Sequence, residues 1–138
     1  MYPVELVAPM REDLSGAGFE ELTTPEAVQE ILDQKEGSVL VVVNSVCGCA
    51  ARNARPAAKH AVENSAKVPT RITTVFAGVD GEATNKAREY MLPYPPSSPS
   101  MALFKDGELV HFIERLHIEG RPAELIAQNL MAAFDEHL

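Results

Sequence analysis

The sequence predicts an α/β fold in which helices flank a mixed central sheet. An apolar, largely β-branched run at residues 39–43 leads into a helix-forming stretch and then into a second strand at residues 71–76. This strand–helix–strand order favours parallel pairing within one sheet. Asp106-Gly107 lies between two further apolar runs and predicts a closing antiparallel hairpin.

Length and charge limit the classes of protein to consider. The chain has 138 residues, of which 12 are basic and 20 acidic, giving a formal charge of −8. We expect one domain over residues 1–138, with a helical extension at 1–36 and a core at 38–138. The acidic balance argues against duplex nucleic acid and anionic membranes as partners. No spanning apolar run or signal peptide is visible, so we expect a cytoplasmic protein.

The first 36 residues predict two helices. A one-face apolar pattern begins at Val4 and breaks at Gly16, and Thr24-Pro25-Glu26 carries the cap, proline and acid of a second helix start. We expect the acidic pairs Glu20-Glu21 and Asp135-Glu136 to be solvated helix ends.

The core elements follow in order. The strand at 39–43 is apolar on both faces, as in a central strand covered by helices. The helix after it should be kinked at Pro56. The remaining predicted elements are a strand at 71–76, a short helix from 80 to about 90, strands at 101–104 and 109–113, and a last helix beginning near residue 122. Tyr90, Tyr94 and Phe104 fit core or loop packing better than a binding stripe.

The two cysteines lie in one short run, Cys47-Gly48-Cys49, at the carboxyl end of the first core strand. Open α/β sheets place their chemistry at that edge. The helix start after the strand favours a thiolate at Cys47, and Arg52 and Arg55 could add positive potential.

The one-residue spacing has a chemical consequence. Cys49 can close a disulfide with Cys47, and Gly48 gives the backbone freedom that so small a ring needs. We expect strain in that ring, which makes the oxidised form easier to reduce. Such a pair suits disulfide isomerisation, or removal of a small thiol from a mixed disulfide.

Other interpretations stay open at this point. The cysteines could be small buried apolar residues, or half of a metal site. His60, His111 and His117 have no recognisable ligand spacing to the pair, although two chains could share a cluster. Pro99 fits a turn proline and a cis-proline facing the cysteines equally well.

Two stretches resemble the thioredoxin fold: 39–49, and 99–108 with its Phe-Lys-Asp-Gly-Glu hairpin. This resemblance favours a cis-proline at Pro99. More closely, three segments resemble the A/B-type bacilliredoxin family: residues 17–24, 42–50 and 96–102. The likeness to this family covers essentially the whole chain.

The resemblance implies a thioredoxin-like fold and a thiol–disulfide oxidoreductase that removes bacillithiol, a low-molecular-weight thiol, from S-bacillithiolated cytosolic proteins. Cys47 would attack the mixed disulfide, and Cys49 or a second bacillithiol would resolve it. The residues expected to contact the substrate are Asn44, Gly48, Ser98 and Pro99.

The resemblance implies bacillithiol as co-substrate with no bound cofactor or metal, and disulfide-containing or bacillithiolated proteins as partners. We expect a monomer or a weak homodimer. The alternatives are a protein disulfide isomerase and a non-enzymatic metal or Fe–S carrier. Val46 and Val41 stand where thioredoxin has a tryptophan and a buried aspartate, which puts efficient dithiol reduction in doubt.

Overall fold

The computed structural model describes residues 2–138, which form a five-stranded sheet covered by helices on both faces. The strands are β1 Glu20–Glu21, β2 Ser38–Asn44, β3 Arg71–Phe76, β4 Ser100–Lys105 and β5 Glu108–Ile113. The helices are α1 Val4–Ser15, α2 Pro25–Leu32, α3 Arg55–Asn64, α4 Gly81–Glu89 and α5 Ala123–His137.

The strand order is β1-β3-β2-β4-β5. The three strands β1, β3 and β2 are parallel, whereas β4 and β5 add antiparallel pairs. This arrangement confirms the predicted mixed α/β sheet. No helix within residues 2–138 has the length and apolar character needed to cross a bilayer.

Strand β2 lies at the centre of the sheet, and all seven of its residues are buried. Leu40 and Val42 face the apolar cluster beneath α1, α3 and α5, whereas Val41 and Val43 face the cluster beneath α2 and α4. Because side chains alternate across a strand, a strand covered on both faces needs apolar residues at consecutive positions. The continuous β-branched run meets that need.

The expectation that Glu20-Glu21 forms a helix end was wrong. These residues form β1, in register with Thr73 and Thr74 of β3. The flanking side chains of Phe19 and Leu22 are 2% and 1% exposed, so burial on either side of the pair holds this segment against the sheet while both carboxylates face water.

The predicted interruption near Pro56 is confirmed in the form of a π-helical turn. Residues Ala50–Ala54 make the wider π turn, and α3 starts at Arg55 with Pro56 in its first turn. The Arg55 N–H donates to the Ala50 carbonyl, so the helix continues through the π turn, and Pro56, which has no N–H to donate, follows directly after this wider turn.

The hairpin and the expected cis-proline are confirmed. Asp106 and Gly107 have φ of 51° and 84°, as a two-residue type I′ turn requires. The Ser98–Pro99 bond is cis, and Leu92–Pro93 is a second cis bond that the sequence analysis did not predict. Pro99 immediately precedes β4, which pairs with β2, so the cis bond lies beside the cysteine turn.

Candidate active site

Cys47 lies in the turn that leaves β2, with its side chain half-buried. Its carbonyl accepts a hydrogen bond from the Ala50 N–H at 3.0 Å, which begins the helical turn. The Cys49 N–H donates to the Cys47 sulfur at 3.4 Å, and the Cys47 N–H donates to Ser45 Oγ at 3.3 Å. The turn therefore directs backbone donors at the Cys47 sulfur, as the helix-start argument predicts.

Arg115 supplies the positive charge at the reactive sulfur. Its Nη2 lies 3.4 Å from Cys47 Sγ, its Nη1 donates to the Ser98 carbonyl at 3.0 Å, and its Nε donates to Glu119 at 3.0 Å. Because Arg115 follows the end of β5, the antiparallel β4–β5 pairing carries it back to the edge of the sheet where Pro99 lies.

Sequence reasoning missed Arg115 and chose Arg52 and Arg55 instead. Arg115 lies 68 positions from Cys47 along the chain, and only the pairing of the whole hairpin brings the two together. Arg52 is exposed above Gly48, whereas the guanidinium of Arg55 is buried beneath the turn. The hairpin signal fixed where β5 ends, so the basic residue just after it was the available clue.

The two thiols differ in acidity and exposure. The pKa of Cys47 is lowered by hydrogen bonding from the Cys49 thiol and N–H and by the charge of Arg115, while desolvation opposes this. Burial raises the pKa of Cys49, and so does the adjacent Cys47 sulfur. Because the thiolate is the attacking form, these opposite pKa shifts favour Cys47 over Cys49 as the attacking thiol, and the catalytic role of the pair stays a prediction.

A buried polar network supports the turn from below. Asn44 is 1% exposed; its Oδ1 accepts from the Ser45 N–H and from Arg55 Nη1, both at 2.9 Å. Its Nδ2 donates to the Met10 carbonyl at 3.1 Å, and Arg55 Nε donates to Asp13 at 2.8 Å. This network joins α1, the end of β2 and the start of α3.

The expected substrate-contacting residues take different places. Ser98 is half-buried beside Cys47 with its carbonyl bound to Arg115, and Pro99 is buried behind it. Gly48 is exposed, and its φ is not in the left-handed region. Asn44 lies beneath the turn, where its amide makes three hydrogen bonds within the protein, so we expect it to position the turn. Substrate contact by Gly48, Ser98 and Pro99 stays a prediction.

Two clefts flank Cys47. One, of about 370 Å³, lies on the side of Arg52 and Glu119. The other, of about 360 Å³, lies on the side of Gly78 and Arg88. Cys47 and Arg115 line both clefts, so a group joined to the Cys47 sulfur can extend into either of them.

Among residues 2–138 the structure offers the metal alternative no third ligand. No group of three or more His, Cys, Asp or Glu side chains in residues 2–138 is arranged to hold a metal ion. His60 is hydrogen-bonded to Asn64 on the same helix, and His111 to Asn129 of α5. His117 is exposed on the short helical turn after β5.

The chain is similar to curated proteins over nearly its whole length. It is 61% identical over 136 residues to a bacilliredoxin of Cytophaga hutchinsonii, covering 99% of each chain. It is 56% identical over 136 residues to a bacilliredoxin of Geobacillus kaustophilus, covering 99% of this chain and 94% of the relative.

Solved structures of lower identity share the fold. Fasciola hepatica thioredoxin superposes with a TM-score of 0.60 at 15% identity, covering 87% of this chain and 100% of its own. Mitochondrial thioredoxin 3 of Saccharomyces cerevisiae superposes with a TM-score of 0.58 at 16% identity, covering 86% of this chain and 94% of its own. These likenesses confirm the thioredoxin-like fold.

A family model described as "Disulphide isomerase" matches residues 2–138. That match, the bacilliredoxin relatives and the acidic Cys47 beside a protonated Cys49 agree with one another. The chain belongs to the bacilliredoxin family, which the model described as "Disulphide isomerase" matches here, and it is a thiol–disulfide oxidoreductase of thioredoxin-like fold.

Proposed function

We propose that this protein removes bacillithiol from S-bacillithiolated proteins, with Cys47 as the attacking residue. The observation that carries the proposal is the opposite placement of two cysteines one residue apart. Cys47 is accessible, with its pKa lowered by hydrogen bonds and charge, whereas Cys49 is only 8% exposed and its pKa is raised by burial. The reaction takes place in the cytoplasm and needs no bound cofactor.

In the first step the Cys47 thiolate attacks the bacillithiol sulfur of the mixed disulfide. A bond forms between Cys47 and bacillithiol, the old disulfide breaks, and the substrate cysteine leaves as a thiolate that takes a proton from water. Arg115 and the Cys49 N–H hold the attacking thiolate at 3.4 Å each. Because thiol–disulfide exchange breaks one disulfide and forms another, this step needs no outside oxidant or reductant.

Cys49 or a second bacillithiol completes the cycle. After the adduct forms, the negative charge on Cys47 is gone, so the charge that raised the Cys49 pKa is removed. Deprotonated Cys49 then attacks Cys47, expels bacillithiol and leaves a Cys47–Cys49 disulfide, which two further bacillithiol molecules reduce, giving bacillithiol disulfide and both free cysteines. Alternatively, a bacillithiol thiolate attacks the adduct, releases bacillithiol disulfide and returns Cys47 to its thiolate.

The test is to trap the adduct. C49A is incubated with a bacillithiolated single-cysteine substrate, and the intact masses of both proteins are measured. We expect the substrate to lose the mass of one bacillithiol and C49A to gain that mass on Cys47. The matched control C47A keeps the buried cysteine and should leave the substrate modified. A substrate that remains fully modified in the presence of C49A, with no adduct on Cys47, contradicts the proposal.

Protein disulfide isomerisation is a second candidate, favoured by the description of the matching family. It uses the same attack, with a protein disulfide in place of the small-thiol disulfide. Recovery of scrambled ribonuclease activity tests it, and both cysteines are expected to be required. Full bacillithiol removal with no ribonuclease recovery would favour the first function over the second.

A further inference from the structure

We propose that the cleft lined by Arg88 is a carboxylate-binding subsite for the small thiol that Cys47 takes up. This inference rests on the proposed function, because it assigns a place to the part of the thiol beyond its sulfur. We call this space the Arg88 cleft; its members used here are Tyr2, Cys47, Gly78, Arg88, Ser98 and Arg115.

The charge of the Arg88 cleft is opposite to that of the whole protein. The chain carries a net charge of −8, yet the cleft is lined by two arginines and by no aspartate or glutamate. Glu119, which pairs with Arg115, lines the other cleft. A recess of one sign in a protein of the other sign attracts ligands of complementary charge.

Arg88 has no internal partner that accounts for its position. The chain's Arg11, Arg55, Arg71 and Arg115 each contact a carboxylate, whereas no such ion pair with Arg88 exists within residues 2–138. Its Nε is shielded from solvent and lacks a hydrogen-bond acceptor among those residues. Since buried polar groups are nearly always bonded, an unbonded buried Nε in a cleft that Cys47 also lines favours an anionic ligand there.

Two further observations fit a small anionic ligand. Burial lowers the pKa of Arg88, as it does for a cation that lacks a compensating charge. The volume of about 360 Å³ is within the range of small-molecule sites. A guanidinium can bind a carboxylate through two parallel hydrogen bonds, and nothing bonded to Nε prevents the side chain from turning to do so.

The chemistry of the exchange indicates which partner carries the carboxylate. After Cys47 attacks, the small thiol is the one group joined to its sulfur, because the substrate protein leaves with its own sulfur. The Arg88 cleft opens at Cys47, so a small thiol bonded there can extend toward Arg88.

Two small thiols that differ in charge test the subsite. A single-cysteine carrier protein is modified with mercaptosuccinate, which has two carboxylates, or with neutral 2-mercaptoethanol. For each thiol, the removal rate of R88Q is divided by that of the wild type, so that intrinsic thiol reactivity cancels. We expect R88Q to slow mercaptosuccinate removal about tenfold, as loss of a charge-assisted hydrogen bond implies. The rate with 2-mercaptoethanol should change less than about twofold.

R52Q is the matched control, because it removes the same charge next to Cys47 but in the other cleft. It should slow neither thiol more than about twofold, and R88K should recover part of the selectivity by restoring the charge. Equal slowing of both thiols by R88Q, no slowing, or the same selectivity in R52Q would overturn the subsite.

A second measurement separates this inference from the proposed function. Cys47 is alkylated with iodoacetate, which carries a carboxylate, and with neutral iodoacetamide. The ratio of the two rates should fall in R88Q and stay unchanged in R52Q. If the wild type fails to remove bacillithiol from the carrier, the proposed function fails, whereas an unchanged alkylation ratio in R88Q rejects the anion site whether or not bacillithiol is removed.

Discussion

Asn44 offers the sharpest test of how the fold supports the reactive cysteine. Its side chain makes three hydrogen bonds: from the Ser45 N–H and Arg55 to its oxygen, and from its nitrogen to the Met10 carbonyl. The residue is 1% exposed, so water cannot replace these bonds when the side chain is removed. At about 1 kcal/mol for each net hydrogen bond, N44A should lower the free energy of unfolding by about 3 kcal/mol.

The assay is urea unfolding of the reduced protein at pH 7. N44D keeps both accepting bonds and gains a charge beside Arg55, but its second oxygen faces the Met10 carbonyl without a proton between them, so it should lose some stability and less than N44A loses. The control N129A removes an exposed amide that contacts only His111, and it should change the stability by no more than about 0.5 kcal/mol. A loss below about 1 kcal/mol in N44A would refute the network argument.

The same variant separates positioning from substrate contact. Asn44 holds the Ser45 N–H, and Ser45 Oγ accepts from the Cys47 N–H, so loss of the amide should loosen the turn around the sulfur. The pKa of Cys47, read from the pH profile of iodoacetamide alkylation, should rise toward an ordinary cysteine value in N44A. A variant of wild-type stability and wild-type Cys47 pKa that still loses activity would show that Asn44 contacts substrate.

Three further predictions follow from the site and its support. R115Q should raise the Cys47 pKa and slow alkylation at pH 7 severalfold, whereas R52Q should leave both unchanged; equal effects would show that general surface charge sets the acidity. Desolvation raises the pKa of Asp13, but hydrogen bonds from Lys59 and Arg55 outweigh it and leave the pKa lowered. The stability that Asp13 adds is therefore present above its unfolded pKa of about 4, and it is lost as the pH falls through the folded pKa. Urea unfolding should therefore show D13N less stable than wild type at pH 7, with the difference shrinking below pH 4; a difference independent of pH would contradict this linkage. The disulfide of the cysteine pair should have a potential above about −270 mV in a titration against glutathione, and a value as low as that of thioredoxin would reject the strained-ring hypothesis.

The parts of the fold that were predicted depend on local signals. The β-branched run at 39–43 specified a strand covered on both faces, and Asp106-Gly107 specified a type I′ turn, because both follow from the conformations that neighbouring residues can adopt. The cis bond at Pro99 could not be predicted from local residues, which fitted a turn proline and a cis-proline equally well. The resemblance to the thioredoxin fold favoured the cis form, which the structure has.

The parts that were missed depend on contacts between distant residues. Glu20-Glu21 has low strand propensity, and its role in β1 comes from the burial of Phe19 and Leu22 beside it. Arg55 reads as a cation near Cys47, but the position of Asp13 on α1 draws it beneath the turn. Nothing in a single sequence states which of several nearby arginines will face the sulfur.

The direction of the chemistry comes from the change of geometry between strand and helix. Cys47 and Cys49 are chemically identical and separated by one residue, yet their pKa values shift in opposite directions. The first stands where backbone N–H groups and Arg115 converge on the sulfur, and the second has already turned toward the interior, where burial disfavours its charge. The opposite pKa shifts therefore come from position in the fold and not from residue type, and they favour Cys47 over Cys49 as the thiol that attacks.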